Sequence, residues 1–174
     1  GSRHSNGGGG GGGSFVSGYK PQWYTGGSSK DNGKATIAFM GEKFKPIATT
    51  VRMTPCSRNG KIGPDAADCA SAYQWDLPVA DIEVDTSQTE DGIQVVTFRR
   101  NGLIRIEAGG AAGGYGRGMV EMRGGGGARA SAIFKVTAGM SLNVVVGQAG
   151  IKRKAWDDEG YFGGGGGGGT FIWD

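Results

Sequence analysis

Two unbroken runs of seven glycines, residues 7–13 and 163–169, constrain this chain more than any other feature. A glycine run has no side chains to bury, so an isolated one behaves as a flexible linker. Here each run opens directly onto an apolar strand start. Ser14-Phe15-Val16 follows the first and Thr170-Phe171-Ile172-Trp173 follows the second. A linker needs no such pattern, whereas polyglycine II does. That helix has three residues per turn and rises about 3.1 Å per residue, so seven glycines would span roughly 22 Å. It forms no internal hydrogen bonds, so its N–H and C=O groups must pair with neighbouring segments or stay in water. More glycine lies at 109–118 and 124–127, and 38 of the 174 residues are glycine, mostly in blocks. The chain is therefore two materials joined together: polyglycine, expected to pack in order, and a Val-, Ile-, Phe- and Ala-rich sequence able to bury a core.

The second material reads as strands. Candidates lie at 14–16, 35–40, 47–53, 80–84, 93–98, 103–107, 130–136 and 142–146, short and rich in β-branched residues between Gly, Asp or Asn turns. Arg100-Asn101-Gly102 is a turn between two of them. Alternation is clearest in Leu103-Ile104-Arg105-Ile106-Glu107, which directs Arg105 and Glu107 to water. Residues 18–33, with Tyr19, Trp23 and Tyr24, read as turn-rich, and 65–73 as one helical turn. Strands at this spacing predict an antiparallel sandwich. Residues 1–6 read as a disordered lead, within which Gly1-Ser2 resembles the scar of a removed tag, leaving room for a lost signal or anchor.

Cys56 and Cys69 are the only cysteines, and the loop between them carries Gly-Lys and Gly-Pro turn signals. Zinc needs about four ligands, and the single histidine, His4, is distant. A disulfide is expected, worth about 3 kcal/mol for a loop of this order and pointing to a secreted or cell-surface origin. The net charge of +3 gives no nucleic-acid footprint. Lys152-Arg153-Lys154 beside Asp157-Asp158-Glu159 reads as a solvated loop, and those acids lack the spacing of a calcium loop. No Gly-Lys-Ser/Thr follows the glycines, so no phosphate loop is expected. Nor is a membrane-spanning run, a catalytic site or a cofactor. The aromatics Tyr19, Trp23, Tyr24, Trp75, Tyr115, Trp156 and Trp173 read as core and rim packing, with Trp23-Tyr24 as the pair best suited to anchor an interface.

The cysteine loop carries a resemblance. Cys56, Gly60, Gly63-Pro64, Ala67, Cys69 and Ala72-Tyr73 resemble the start of the glycine-rich extracellular region of the anaplastic lymphoma kinase and leukocyte tyrosine kinase receptors. The likeness runs on through Gly92-Ile93-Gln94, Gly110-Ala111-Ala112-Gly113-Gly114, Ile133-Phe134 and Val145-Val146-Gly147-Gln148-Ala149-Gly150. It ends where 163–169 meet Thr170-Phe171-Ile172. The first 40 residues resemble the other end of the same region, through 7–13 with Ser14-Phe15-Val16-Ser17, Tyr24-Thr25 and Gly33-Lys34-Ala35-Thr36-Ile37. The chain is thus similar to that region in permuted order and without most of its glycine-rich insert. Residues 7–174 would form one domain, with 14–40 as the family's closing segment, 41–45 as a junction and 46–174 as its opening segment.

The resemblance implies a mostly β fold, a jelly-roll sandwich similar to tumour necrosis factor, with short polyglycine II segments. It implies a module on the outer face of the plasma membrane in a single-pass receptor. There it would bind a secreted protein ligand that dimerises the receptor and activates an intracellular kinase absent from this chain. Family members place an aromatic and acidic residues near the closing strand, facing ligand. Tyr24 matches the aromatic, while Lys30 and Lys34 stand where the acids would be. This change of sign implies a ligand that presents acid to Lys30, Lys34 and Arg105, with Trp23 beside Tyr24; for the lysines the plainer reading is an exposed turn. Two alternatives remain. A glycine-rich adhesin or fibre-tip module binding a cell-surface glycan would not reproduce the cysteine loop. An ice- or matrix-binding protein would need more regular glycine repeats.

Overall fold

A computed structural model describes residues 10–13, 19–29, 31–40, 46–59, 62–73, 80–117, 121–151 and 164–174. The expected strand at 14–16, the charged loop at 152–159, the junction at 41–45 and the lead at 1–6 lie outside the described residues.

The chain is mostly β. Its strands are β1 (Tyr19–Ser29), β2 (Lys34–Met40), β3 (Pro46–Met53), β4 (Ile82–Glu90), β5 (Ile93–Phe98), β6 (Gly102–Gly109), β7 (Gly116–Arg117), β8 (Glu121–Met122), β9 (Gly127–Val136), β10 (Ser141–Val145) and β11 (Phe171–Trp173). Among the described residues one helix, α1 (Ala66–Tyr73), lies between β3 and β4. β1, β9, β6, β2 and β3 form one sheet in that order; β11, β10, β5 and β4 form a second; β7 and β8 pair alone. Among the described residues every pairing is antiparallel. The two larger sheets share one apolar core. Ile37, Phe39, Ile104 and Ile106 enter it from the first sheet, and Ile82, Val96, Phe98 and Val144 from the second. Phe39 and Phe98 meet edge to face with centroids 6.0 Å apart, the geometry that the ring quadrupole favours.

The expected strands at 35–40, 47–53, 93–98, 103–107 and 142–146 match β2, β3, β5, β6 and β10 within about two residues. Two expectations need correction. Residues 18–33 are not a run of turns, because most of them form β1, the edge strand paired with β9. Gly26, Gly27 and Pro21 hide it from pattern reading. The edge position accepts proline, and the register shifts between Tyr24 and Ser29 absorb the glycines. The predicted single helical turn is the eight-residue α1. Asp65 Oδ1 accepts from Asp68 N (2.9 Å) and Asp68 Oδ2 accepts from Asp65 N (3.0 Å). This reciprocal cap satisfies two otherwise orphaned donors. The Arg100-Asn101-Gly102 turn carries the chain from β5 in one sheet to β6 in the other, so it does not close a hairpin. The hairpin turn is Asp91-Gly92, with φ of 49° and 84°, joining β4 to β5.

Cys56 and Cys69 form the predicted disulfide, with Cα atoms 4.9 Å apart. Both are buried. Beneath them Tyr73 Oη donates to Gln94 Oε1 (2.7 Å) and Gln94 Nε2 donates to the Thr54 carbonyl (2.9 Å). This satisfies a glutamine that points into the core at 1% exposure. The bond is compatible with an extracellular or secreted protein.

The described glycine segments are ordered and bonded side to side. Gly12 N donates to Ala111 O (2.7 Å), Ala111 N to Gly168 O (2.9 Å), and Gly167 N to Gly10 O (2.7 Å). Gly113 N donates to Gly125 O (2.8 Å) and Gly114 N to Gly165 O (2.7 Å). Lateral backbone pairing of this kind is what polyglycine packing requires. Torsional freedom is not why these positions are glycine, since Gly92 and Gly139 alone among the described glycines have φ in the left-handed region. The reason is space. A Cβ on Gly12 would overlap the Gly168 carbonyl, and one on Gly127 would overlap that of Gly110. Thr170, fully buried, ties this bundle to the strands: its Oγ1 donates to Gly109 O (2.7 Å) and accepts from Gly147 N (3.1 Å).

Candidate functional site

The outward face of the five-stranded sheet gathers most of the residues singled out from the sequence. In β6, Ile104 and Ile106 point into the core, so Arg105 and Glu107 lie on the opposite face. Cross-strand register extends that face outward. Tyr24 pairs with Arg129, Arg129 with Gly109, and Gly109 with Lys34. One row therefore runs from Tyr24 across the sheet to Lys34. The next row is Gln22, Ser131, Glu107, Thr36 and Arg52. Arg105 stands in the third, between Ile133 and Ala38.

Three predicted residues, Tyr24, Lys34 and Arg105, thus share one face by register. Trp23 is opposite Ala130 in the register of β1 with β9. Lys30 lies outside the described residues. Arg105 was expected to face water, but it is half-buried: its Nη2 donates to Gln22 Oε1 (3.0 Å) and Ser131 Oγ (3.3 Å). Glu107 pairs with Arg129.

Sequence reading missed Arg52, exposed on β3 between the buried Val51 and Met53. That alternation was available as a signal. What was missing was the order of strands that sets Arg52 beside Lys34. The same order separates charge. The strands of the five-stranded sheet carry Lys20, Lys34, Arg52, Arg105, Arg129 and Lys135 against Glu107 alone. The strands of the second sheet carry Glu83, Asp85 and Glu90 and no base.

Other features offer less chemistry. An apolar cleft of about 390 Å³ opens between the sheets, lined by Ile106, Phe134, Met140, Leu142, Ile172 and Trp173 among others. Among the described residues no three His, Cys, Asp or Glu side chains gather where they could hold a metal ion. The clearest electrostatic shifts lie at the α1 cap. The hydrogen bond from Arg58 holds the Asp68 carboxyl below its usual range, and Asp68 in turn raises Arg58. Both side chains are solvent-accessible, so this pair secures the helix start and builds no reactive group.

Compared with known proteins, the chain matches no family model, no curated protein and no solved structure.

Proposed function

We propose that this chain is an extracellular ligand-binding module of a receptor tyrosine kinase, of the type found in the anaplastic lymphoma kinase and leukocyte tyrosine kinase receptors. In this reading it recognises a secreted protein ligand that drives receptor dimerisation. The sandwich is the tumour necrosis factor-like jelly roll of that family, and the glycine segments are polyglycine II helices serving as scaffold. The supporting observation is that the permuted order is physically coherent. β2 and β3, which residues 41–45 join, are hydrogen-bonded neighbours with Met40 opposite Pro46. Ends that lie side by side can be linked without rearranging the sheet. At the opposite break, the two glycine runs meet in one bundle, where Gly167 N donates to Gly10 O. A larger insert could leave and re-enter there.

The buried disulfide accords with an extracellular module. The test is a calorimetric titration of the folded chain with purified secreted ligands of this receptor family, run beside a glycan panel. Saturable one-to-one binding of a secreted polypeptide is expected. Binding of a glycan and of no polypeptide would replace this reading with the adhesin one.

A further inference from the structure

We infer that the outward face of the five-stranded sheet is a docking surface for an acidic protein segment of mixed charge, with Lys34 and Arg52 as its principal contacts. The inference rests on the reading of the chain as a protein-binding module, and adds to it the face, the residues and the sign of the partner.

Charge separation carries it. Basic and acidic residues nearly balance over the whole chain, with 19 Lys and Arg against 16 Asp and Glu. On the strands they do not mix. The five-stranded sheet holds six bases and one acid; the second sheet holds acids only. Within the basic sheet, Arg129 is paired to Glu107. Arg105 donates to the neutral oxygens of Gln22 and Ser131. Among the described residues no carboxylate is bonded to Arg105, Lys34 or Arg52. Lys34 and Arg52 are both exposed. Arg52 faces Thr36, two residues along β2 from Lys34, so the two cations are diagonal neighbours about 7–8 Å apart. That spacing suits alternate residues of an extended partner strand, which rise about 6.8 Å.

Glu107 selects the class of partner. It lies in the row between Thr36 and Ser131, in the middle of the cations. A uniform polyanion, such as a sulfated glycan or a nucleic acid, would gain little there, because the Glu107–Arg129 ion pair leaves, among the described residues of their two rows, no free cation between Lys34 or Arg52 and the far side of the sheet. A protein segment can place carboxylates against Lys34 and Arg52 and a base or neutral group against Glu107. Interfaces gain specificity from such sign matching.

The test uses the full chain and three probes. The first is an extended peptide in which Glu alternates with Thr and one central Glu is replaced by Lys. The others are heparin and single-stranded oligothymidylate. Backbone NMR titration should move the amides around Lys34, Arg52 and Arg105 with the peptide, and rising salt should weaken it. The double variant Lys34→Glu/Arg52→Glu should retain its fold, since both side chains are exposed, and lose at least about tenfold in affinity. The double variant Lys34→Arg/Arg52→Lys should keep it. No peptide binding, or binding indifferent to the reversal, overturns the inference. So does tighter binding of heparin or the oligonucleotide, or self-association of the chain that the reversal abolishes. A secreted ligand that binds the chain yet ignores the reversal would leave the receptor reading standing and overturn this one.

Discussion

The strand core and the glycine bundle belong to one chain but are held together by opposite means. In the core, side chains provide the cohesion. Phe39, Phe98, Ile37, Ile82 and Ile104 are almost wholly removed from water, and each large apolar group so buried contributes about 1.5–3 kcal/mol. In the bundle, cohesion comes from the lack of side chains. Segments approach until one backbone amide reaches the next, as at Gly12 with Ala111 and Gly114 with Gly165. A hydrogen bond of this kind is worth a net 0.5–1.5 kcal/mol, so the bundle depends on many weak pairings. Volume deleted from the core should therefore hurt, and volume added to the bundle should hurt.

The largest effect is expected from emptying the core. Phe98 is fully buried and packs on Phe39 across the two sheets. Phe98→Ala should cost about 3–5 kcal/mol in denaturant unfolding. If the loss were below 1 kcal/mol, the sheets would not be sharing the core as described.

The bundle allows a matched pair of substitutions. A Cβ on Gly12 overlaps the Gly168 carbonyl, whereas one on Gly13 meets nothing within 4 Å. Neither has a left-handed φ. Gly12→Ala should therefore cost about 1–3 kcal/mol as an overpacking defect. Gly13→Ala should be neutral or stabilise by about 0.4–1 kcal/mol through the unfolded chain. Equal melting temperatures for the two variants would show that the glycine run is tolerant spacer and no packed element.

Much of the core was legible in the sequence and much of the bundle was not, for a physical reason. Leu103-Ile104-Arg105-Ile106-Glu107 announces its two faces by alternation: Ile104 and Ile106 are buried as expected, while Arg105 and Glu107 take the opposite face but are half-buried by their neighbours. A glycine run has no periodic side chain to read. Only its junctions with apolar residues hinted at order, and nothing in it named Gly168 as the neighbour of Gly12. β1 was missed because Gly26 and Gly27 interrupt its pattern, while pairing with β9 enforces the strand. The candidate site was half legible. Tyr24, Lys34 and Arg105 come together through register across β1, β9, β6 and β2, which local sequence does not encode. Arg52 enters only once β3 is known to flank β2.

The seam between the two regions offers a third measurement. Thr170 Oγ1 bridges Gly109 O and Gly147 N while fully buried. Thr170→Val keeps the shape and removes both bonds, leaving a buried donor and acceptor unsatisfied. A loss of about 1–2 kcal/mol is expected. Hydrogen exchange should quicken at the Gly147 amide before it does at amides within β5. Simultaneous loss at both would mean that core and bundle open as one unit.

The smallest expected effect separates both regions from the helix cap. The folded Asp68 carboxyl lies below its ordinary value of 3.8, chiefly through its hydrogen bond from Arg58. A carboxylate whose pKa is depressed on folding contributes stability that is fully present above the unfolded value. That contribution is lost as pH falls through the folded one. Acidification below about 4 should therefore loosen the start of α1 while the bundle, held by amides that do not titrate, keeps its protection. Because the pair is exposed, solvent screening keeps the change small. Amide exchange at Asp65 should register it first, since Asp65 N donates to Asp68 Oδ2, the group that is protonated. Asp68→Asn should remove the pH dependence there. If the Gly12 and Gly114 amides lost protection over the same pH range, the bundle would depend on the disulfide loop, and the two regions would not be separable.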